Sequence, residues 1–530
     1  TQAVSFLALA KIKLAQGSLT EALHFTDESL LRNYHDFTAR TLKAHILRQL
    51  GQNEQAQTVL TESLALDASE PGLLYEQAQL SQAAADQAKL THYIGGRLND
   101  VLALAELYLT TAQYQDAIAV LERYAGQQPL QAYYLAYAYA KLGQSETALQ
   151  HAQAGAKLSP DYVFPNRLFD VVVLDFIQTI NPEDGYAPYY LGNFYYDKRI
   201  YDKAVVLWEK AVALAPAYAM PYRNLSIAYY NKQHQSDKAL AYLEKAFKLD
   251  PTNARLVFEL DSLYQKFNRP LPERLAFLQA HQDLVAQRDD SYVALVTLLN
   301  ETGQYQAAYD ALMAHIFHPW EGGEGKVSTQ YEYALIELAK ADLQAGAYQA
   351  AVDKLQKALV YPRSLGEGKL PIAHDDIIDF YLGYAYKQLG DQAHATQYLQ
   401  QATVGLTEPT DMMYYNDQPA DTIFYQGLAY EQLGQPEKAV AKYHKLVSFG
   451  EKQIFNKFVM DYFAVSLPDA LLFDEDYQQR NSVHCYYLMA LGYLGLNETD
   501  KAQAMFMKAT ALTNSHQGVL RHAAFVKPEV

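Results

Sequence analysis

Small and apolar positions recur along this chain at helical spacing, and turn signals break the recurrence at intervals. Gly17-Ser18, Gly51-Gln52, Gly143-Gln144, Gly303-Gln304, Gly390-Asp391 and Gly434-Gln435 punctuate the pattern, with glycine closing one helix before the next begins. The stretch from Tyr189 to Pro216 shows the unit in full: YYLGNFYYDKRIYDKAVVLWEKAVALAP. Gly192, Tyr195, Ala204, Trp208, Ala211 and Pro216 stand at offsets 0, 3, 12, 16, 19 and 24. Small residues at offsets 0 and 12 let two antiparallel helices approach closely. Aromatics at 3 and 16 fill the space beside them, and proline stops the second helix. The element predicted is a helix-turn-helix.

This spacing resembles the tetratricopeptide repeat at all six positions. The first-helix position, or its equivalent, returns at Ala10, Ala44, Ala78, Ala105, Ala136, Gly192, Ser226, Leu260, Leu295, Ala339, Gly383, Gly427 and Ala490. Its second-helix partner follows at Ala22, Ala56, Ala117, Ala148, Ala204, Ala239, Ala307, Ala351, Ala395, Ala439 and Ala502. The resemblance implies an all-α fold: a tetratricopeptide-repeat solenoid, a right-handed superhelix of about thirteen units. Such an array grows by adding repeats rather than by dividing into globular domains. Residues 1–160 read as generic repeats, 161–290 as repeats that begin with an irregular helical pair at 161–185, and 291–530 as repeats with insertions.

The insertions come from the spacing. Early units stand 34 residues apart, at 10, 44 and 78 and again at 192, 226 and 260. Later the step is 44 three times over (295, 339, 383, 427) and finally 63, to 490. With helices of constant length, the excess falls between units, at 317–330, 361–376, 405–421 and 449–483. All four follow a second helix, so they are expected on one edge, where inserted loops commonly form a binding face.

Composition narrows the function classes. The chain has 530 residues, half of them hydrophobic, with 43 basic and 60 acidic side chains for a net charge of −17. That balance argues against a general phosphate-backbone binder, so no nucleic-acid partner is expected. No apolar run is long enough to span a membrane. The single cysteine, Cys485, excludes an intrachain disulfide and suits a reducing compartment, so the expectation is a cytoplasmic protein. Tyrosine is the outlier at 44 residues. Most tyrosines, such as Tyr133, Tyr134, Tyr137 and Tyr229, sit at helical spacing and read as packing residues with hydroxyls reaching a groove.

Candidate chemistry gathers in the insertions. Gly323-Glu324-Gly325-Lys326 and Gly366-Glu367-Gly368-Lys369 repeat one tetrapeptide. Around them stand Trp320, Glu321, His374, Asp375 and Asp376. The third insertion adds Tyr415, Asn416, Asp417 and Asp421, and the fourth Asp461, Asp474, Asp476 and, just beyond it, His484. Carboxylates and amides hydrogen-bond hydroxyl groups and aromatic faces stack on C–H surfaces, so this mixture suits a polyhydroxylated ligand. If the cluster is catalytic, Glu324 and Glu367 on adjacent loops form the carboxylate pair. Neighbouring loops would lie on the order of 10 Å apart, near the ~6.5–9.5 Å of an inverting glycosidase. Against this, glycines serve turns and Asp375, Asp376, Asp417 and Asp421 are equally helix N-caps.

Other motifs lead nowhere. GEGK lacks the upstream glycine and following Ser/Thr of a phosphate loop. His315-x-x-His318 lacks the glutamate of a metalloprotease, and no metal or other cofactor is expected.

The strings YYLGNFYYDKRIYDKAVVLWEKA, Arg288-Asp289-Asp290, FHPWEGGEGK, LGEGKL, YYNDQPAD, DYFAVSLPD and HCYYL carry a further resemblance. The stretch from about Phe164 to His516 resembles the C-terminal half of large bacterial tetratricopeptide proteins associated with carbohydrate metabolism. In these a β-sandwich domain of unknown function precedes the repeats, which implies that such a domain is absent from this chain. Two functions remain open. One is a scaffold binding carbohydrate, a protein or peptide, or the missing domain; the other is a glycan-active module built on the GEGK loops. Tyrosine-rich surfaces make a homo-oligomer plausible as well.

Overall fold

The computed structural model describes residues 2–320, 322–370, 373, 375–411, 418–457 and 472–525. Among them are 29 α-helices, one short 3-10 turn and no strand. Twenty-six of the helices pair into thirteen hairpins, from Gln2–Ala15 with Leu19–Arg32 to Tyr477–Gly495 with Thr499–Leu512. The repeat positions read from the sequence explain the pairing. Ala10, Ala44, Ala78, Ala105, Ala136, Ala339 and Ala490 are fully buried. A Cβ on Gly192, Gly383 or Gly427 would come within 2.6 Å of Trp208, Leu399 or Tyr443, so only glycine lets those helices close.

Three details depart from the sequence reading. In the hairpin Asp289–Glu301/Tyr305–Ala314 the register is one residue later: Leu295 is only half-buried and Ala307 is exposed, while Val296 and Ala308 are fully buried. At 161–185 the structure has one helix, Leu168–Ile180, rather than a pair. The helices have also lengthened, since Lys326–Gln344 and Tyr477–Gly495 run to 19 residues and Pro436–Gln453 to 18. Residues 326–330, 449–453 and 477–483 of the insertions are therefore helical. Apolar residues at Val327, Tyr331, Ala334 and Leu335 continue the buried face, so the helix extends wherever burial continues to favour it.

The chain divides into two compact units, Thr1–Ala228 and Tyr229–Val530. In the first, buried tyrosines donate to carboxylates of other segments of the unit. Tyr108 reaches Glu76 at 2.5 Å, Tyr75 reaches Asp116 at 2.9 Å, and Tyr133 and Tyr134 reach Asp184 and Asp170 at 2.6 and 2.5 Å. These four hydroxyls thus serve the interior rather than a groove.

In the second unit the last repeat and the residues just after it return to the earliest hairpins. Asn514 donates through Nδ2 to the carbonyls of Asn268 and Arg269, both at 2.9 Å, and Asn268 donates to Leu512 at 3.1 Å. Asn231 bonds both Leu472 and Asp474 at 2.8 Å, and Tyr230 packs edge-on against Phe473.

Candidate functional site

The insertions do touch one another in sequence order. Phe317 donates to the Ser364 carbonyl at 2.9 Å, joining the first and second. Gln418 donates to Asp376 at 2.7 Å, joining the second and third. His484 Nε2 bonds the Thr410 carbonyl at 2.9 Å, joining the third to the helix that follows the fourth.

The sequence-predicted residues are nevertheless distributed over several places. Glu367 takes the Gly325 and Ser328 backbone N–H groups, both at 2.9 Å. Its carboxylate therefore caps the helix Lys326–Gln344 from the neighbouring loop, satisfying donors that a helix start leaves unpaired. Glu324 makes no side-chain hydrogen bond or ion pair among the described residues. Trp320 is half-buried against the core, and a Cβ on Gly323 would meet its ring at 2.2 Å. Lys326 opens the capped helix and is exposed.

Lys369 pairs with Asp375, lies 3.7 Å from Glu332 and sits over the Tyr361 ring. Asp376 is buried, and its carboxyl is pushed up to about 7, first by burial. Asp379 beside it is pushed up to about 7 by burial and by Asp375. Asp474 lies 3.7 Å from Lys232, and Asp476 caps its helix through the Gln479 N–H at 2.9 Å. Glu321, His374, Tyr415, Asn416, Asp417 and Asp461 lie outside the described residues.

Asp421 belongs to a different neighbourhood, which sequence reasoning missed. The first helices of the second unit face a short segment that leaves the last repeat at Thr513, forms the helix Gln517–His522 and ends its described course at Phe525. Arg521 donates to Glu337 at 2.8 Å and lies 4.0 Å over the Tyr333 ring. Its side chain is 8% exposed and that of Glu337 7%. Lys340 completes the pairing of Glu337 at 2.7 Å.

His522 is fully buried. Its Nδ1–H donates to the Gly518 carbonyl at 2.8 Å, leaving Nε2 to accept the Tyr425 hydroxyl at 2.8 Å. Burial, with Arg521 alongside, holds this imidazole well below the usual histidine range and neutral. Tyr487 lies 3.1 Å from His522 and donates to Asp421 at 2.8 Å. The Gln330 and Gln517 side-chain amides exchange hydrogen bonds at 2.8 and 3.0 Å, and Phe525 packs edge-on against Phe424. The signal was legible in part: Gln330, Tyr333, Glu337 and Lys340 mark one helical face with polar groups. An Arg-His pair beyond the last repeat gave no hint of its destination.

Metal-type side chains converge elsewhere, in the first unit, where His45, Glu76 and Asp116 offer ligand atoms within 4.8 Å of one another. Arg48 stands among them. It donates to Glu76 at 2.8 Å and to Asp116 at 3.2 Å, while His45 and Tyr108 take the other Glu76 oxygen. The place a cation would take holds a guanidinium, and the set is an ion-pair network. Its cations hold Glu76 down at about 2 against the opposing effect of burial.

The tetratricopeptide-repeat family model matches residues 37–70, 224–253, 381–403 and 483–516, which fall on the hairpins Phe37–Gln49/Asn53–Leu66, Ala219–Asn231/Ser236–Leu249, Asp376–Gln388/Gln392–Gln401 and Tyr477–Gly495/Thr499–Leu512. The chain carries tetratricopeptide repeats. Among solved structures it is similar at 12% identity and TM-score 0.26 to the Cut9-Hcn1 hetero-tetramer of the APC/C, over 99% of this chain and 97% of that one. It is similar to YrrB, a tetratricopeptide protein with an unusual peptide-binding site, at 18% identity and TM-score 0.16, over 43% and 92% of the two chains. MamA from Desulfovibrio magneticus RS-1 matches at 21% identity and TM-score 0.22, over 36% and 95%. At such scores these likenesses carry no functional argument; the repeats rest on their own spacing and geometry. No helix among the described residues is long and apolar enough to cross a membrane.

Proposed function

We propose that this protein is a tetratricopeptide-repeat scaffold that binds a protein partner by receiving a short peptide on the first-helix face of Tyr229–Val530. One observation supports this reading above others: that face holds the segment 513–525 by side-chain-specific contacts, with Glu337 and Tyr333 on an arginine and two tyrosines on an imidazole. A face that selects by charge, ring and hydrogen bond is chemically equipped for peptide recognition.

The sugar reading of the insertions draws on their composition. Glu367 is engaged by backbone amides and Lys369 by Asp375, which weighs against Glu324 and Glu367 as a catalytic carboxylate pair. Panning a displayed peptide library against the full chain tests the scaffold reading. Enriched peptides should cross-link to Lys326–Gln344 and Tyr477–Gly495. If no peptide is enriched while a glycan array retains the chain, the carbohydrate reading replaces this one.

A further inference from the structure

The segment 513–525 differs from the repeats in what holds it. Its helix has six residues, too few to be stable alone. Of its apolar side chains, Val519 is the one counted in the buried core, while Phe525 packs partly buried at the margin. The remaining anchors are polar: Asn514, Gln517, Arg521 and His522.

The segment also leaves the face incompletely satisfied. Asp421 Oδ2 accepts from Tyr487, but its buried Oδ1 has no hydrogen-bond partner among the described residues. At the other end Asn300 donates to Gln330 at 3.0 and 3.1 Å, yet its own buried Oδ1 is likewise without a partner. A buried acceptor without a donor is a standing cost. Two of them, beside the groups that hold Gln517 and His522, mark a face able to accept more donors than its present occupant supplies.

We propose that the segment 513–525 is an exchangeable internal occupant of the peptide site, and that its own sequence names the partner: a short helix carrying Arg-His-x-x-Phe chemistry, with a further donor placed to reach Asp421. This rests on the reading of that face as a peptide site and adds what the site selects and how it is kept closed. Arginine supplies the ion pair to Glu337 and the cation over Tyr333. A neutral hydrogen-bonding ring fills the space between Tyr425 and Tyr487, and an aromatic residue three positions on meets Phe424. The extra donor gives a true partner its advantage over the resident segment, which is favoured in turn by its covalent attachment.

The test is titration of a fluorescent peptide of sequence TNSHQGVLRHAAF, residues 513–525, into the full chain and its variants. The Arg521→Glu chain should expel its own segment and bind this peptide at least tenfold more tightly than the unaltered chain. A peptide carrying Arg521→Glu should fail on that chain and bind the Glu337→Arg chain instead. The double variant Glu337→Arg/Arg521→Glu should close again and refuse the native peptide. If the Arg521→Glu chain keeps its helical circular dichroism but binds no peptide, exchange is wrong, while library peptides captured by the unaltered chain would leave the broader peptide reading standing. If that variant instead loses its helical signal, the segment is an integral part of the fold and the proposal falls.

Discussion

The two units place buried charge differently. In Thr1–Ala228, Glu76 is surrounded by His45, Arg48 and Tyr108, and Asp116 by Arg48 and Tyr75, all carried by helices of the repeats themselves. Every oxygen of that pair of carboxylates but one of Asp116's is engaged by a repeat side chain. In Tyr229–Val530, Glu337 faces Lys340 from its own helix and Arg521 from a segment that belongs to no hairpin. Here acceptors at Asp421 and Asn300 remain without donors among the described residues. A closed network stitches neighbouring repeats into one seam, and an open one addresses something that lies against them.

Four experiments would break or sharpen that contrast. The largest effect should come from Glu76→Gln, which leaves the fully buried His45 without its anion and Arg48 with Asp116 alone. Losing one partner of a buried ion pair costs about 3–5 kcal/mol, read as a lowered urea midpoint with hydrogen exchange accelerating across Phe37–Leu121. A loss below about 1 kcal/mol would mean that the network is not a seam. Arg521→Ala should cost less, about 2 kcal/mol, because Lys340 still neutralises Glu337. Its signature is exchange confined to 513–525 and the facing residues; exchange spread through all the repeats of the unit would argue against a separable segment.

Glu367→Ala should cost about 1 kcal/mol, the usual worth of an N-cap, and should fray the first turn of Lys326–Gln344. If the same change instead abolished a glycan-dependent activity with no loss of stability, the capping role would be the lesser one. The smallest and most conditional effect belongs to Asp376. Its carboxyl is pushed up to about 7 in the folded chain, above the ordinary aspartate value of about 4. Its contribution is therefore fully present at low pH and is lost as pH rises through about 7. Asp376→Asn should match the parent's thermal midpoint at pH 4 and exceed it at pH 8. A parent that gained stability over that range through this residue would reverse the sign and sink the assignment.

Much of the fold was legible because the repeat encodes packing distance directly. Gly192 against Trp208 and Gly427 against Tyr443 could be read from offsets alone, since the size of each residue dictates how closely the helices approach. Leu295 and Ala307 were misplaced by one residue, because a degenerate repeat with Ala307 and Ala308 side by side supports two registers. Helix growth into the insertions was missed because a 44-residue step fixes total length, not how it divides between helix and loop.

The candidate site was less legible. Glu367 and Lys369 stand out as a duplicated motif, yet Glu367 caps a helix while its counterpart Glu324 makes no such contact among the described residues. The Arg521–Glu337 pair spans 184 residues and has no periodic signature, so sequence spacing had no means of finding it. Tyrosine at helical spacing reads as packing, and Tyr75, Tyr108, Tyr133 and Tyr134 are indeed buried. The buried carboxylates that receive the hydroxyls could be located only in three dimensions.

The contacts from Asn231 to Leu472 and Asp474, and from Asn268 to Leu512, have a kinetic consequence. A linear array has two ends from which unfolding can begin, and any stretch of it can nucleate folding. An array whose last member grips its first behaves like a chain with a periodic boundary: neither terminus is free to peel away, and the final contact closes a loop of roughly 250 residues. Such closure raises the mean separation of contacting residues and slows assembly. The repeats of the second unit should therefore gain their full protection late, when synthesis has passed Leu512, and then lose it together rather than one by one.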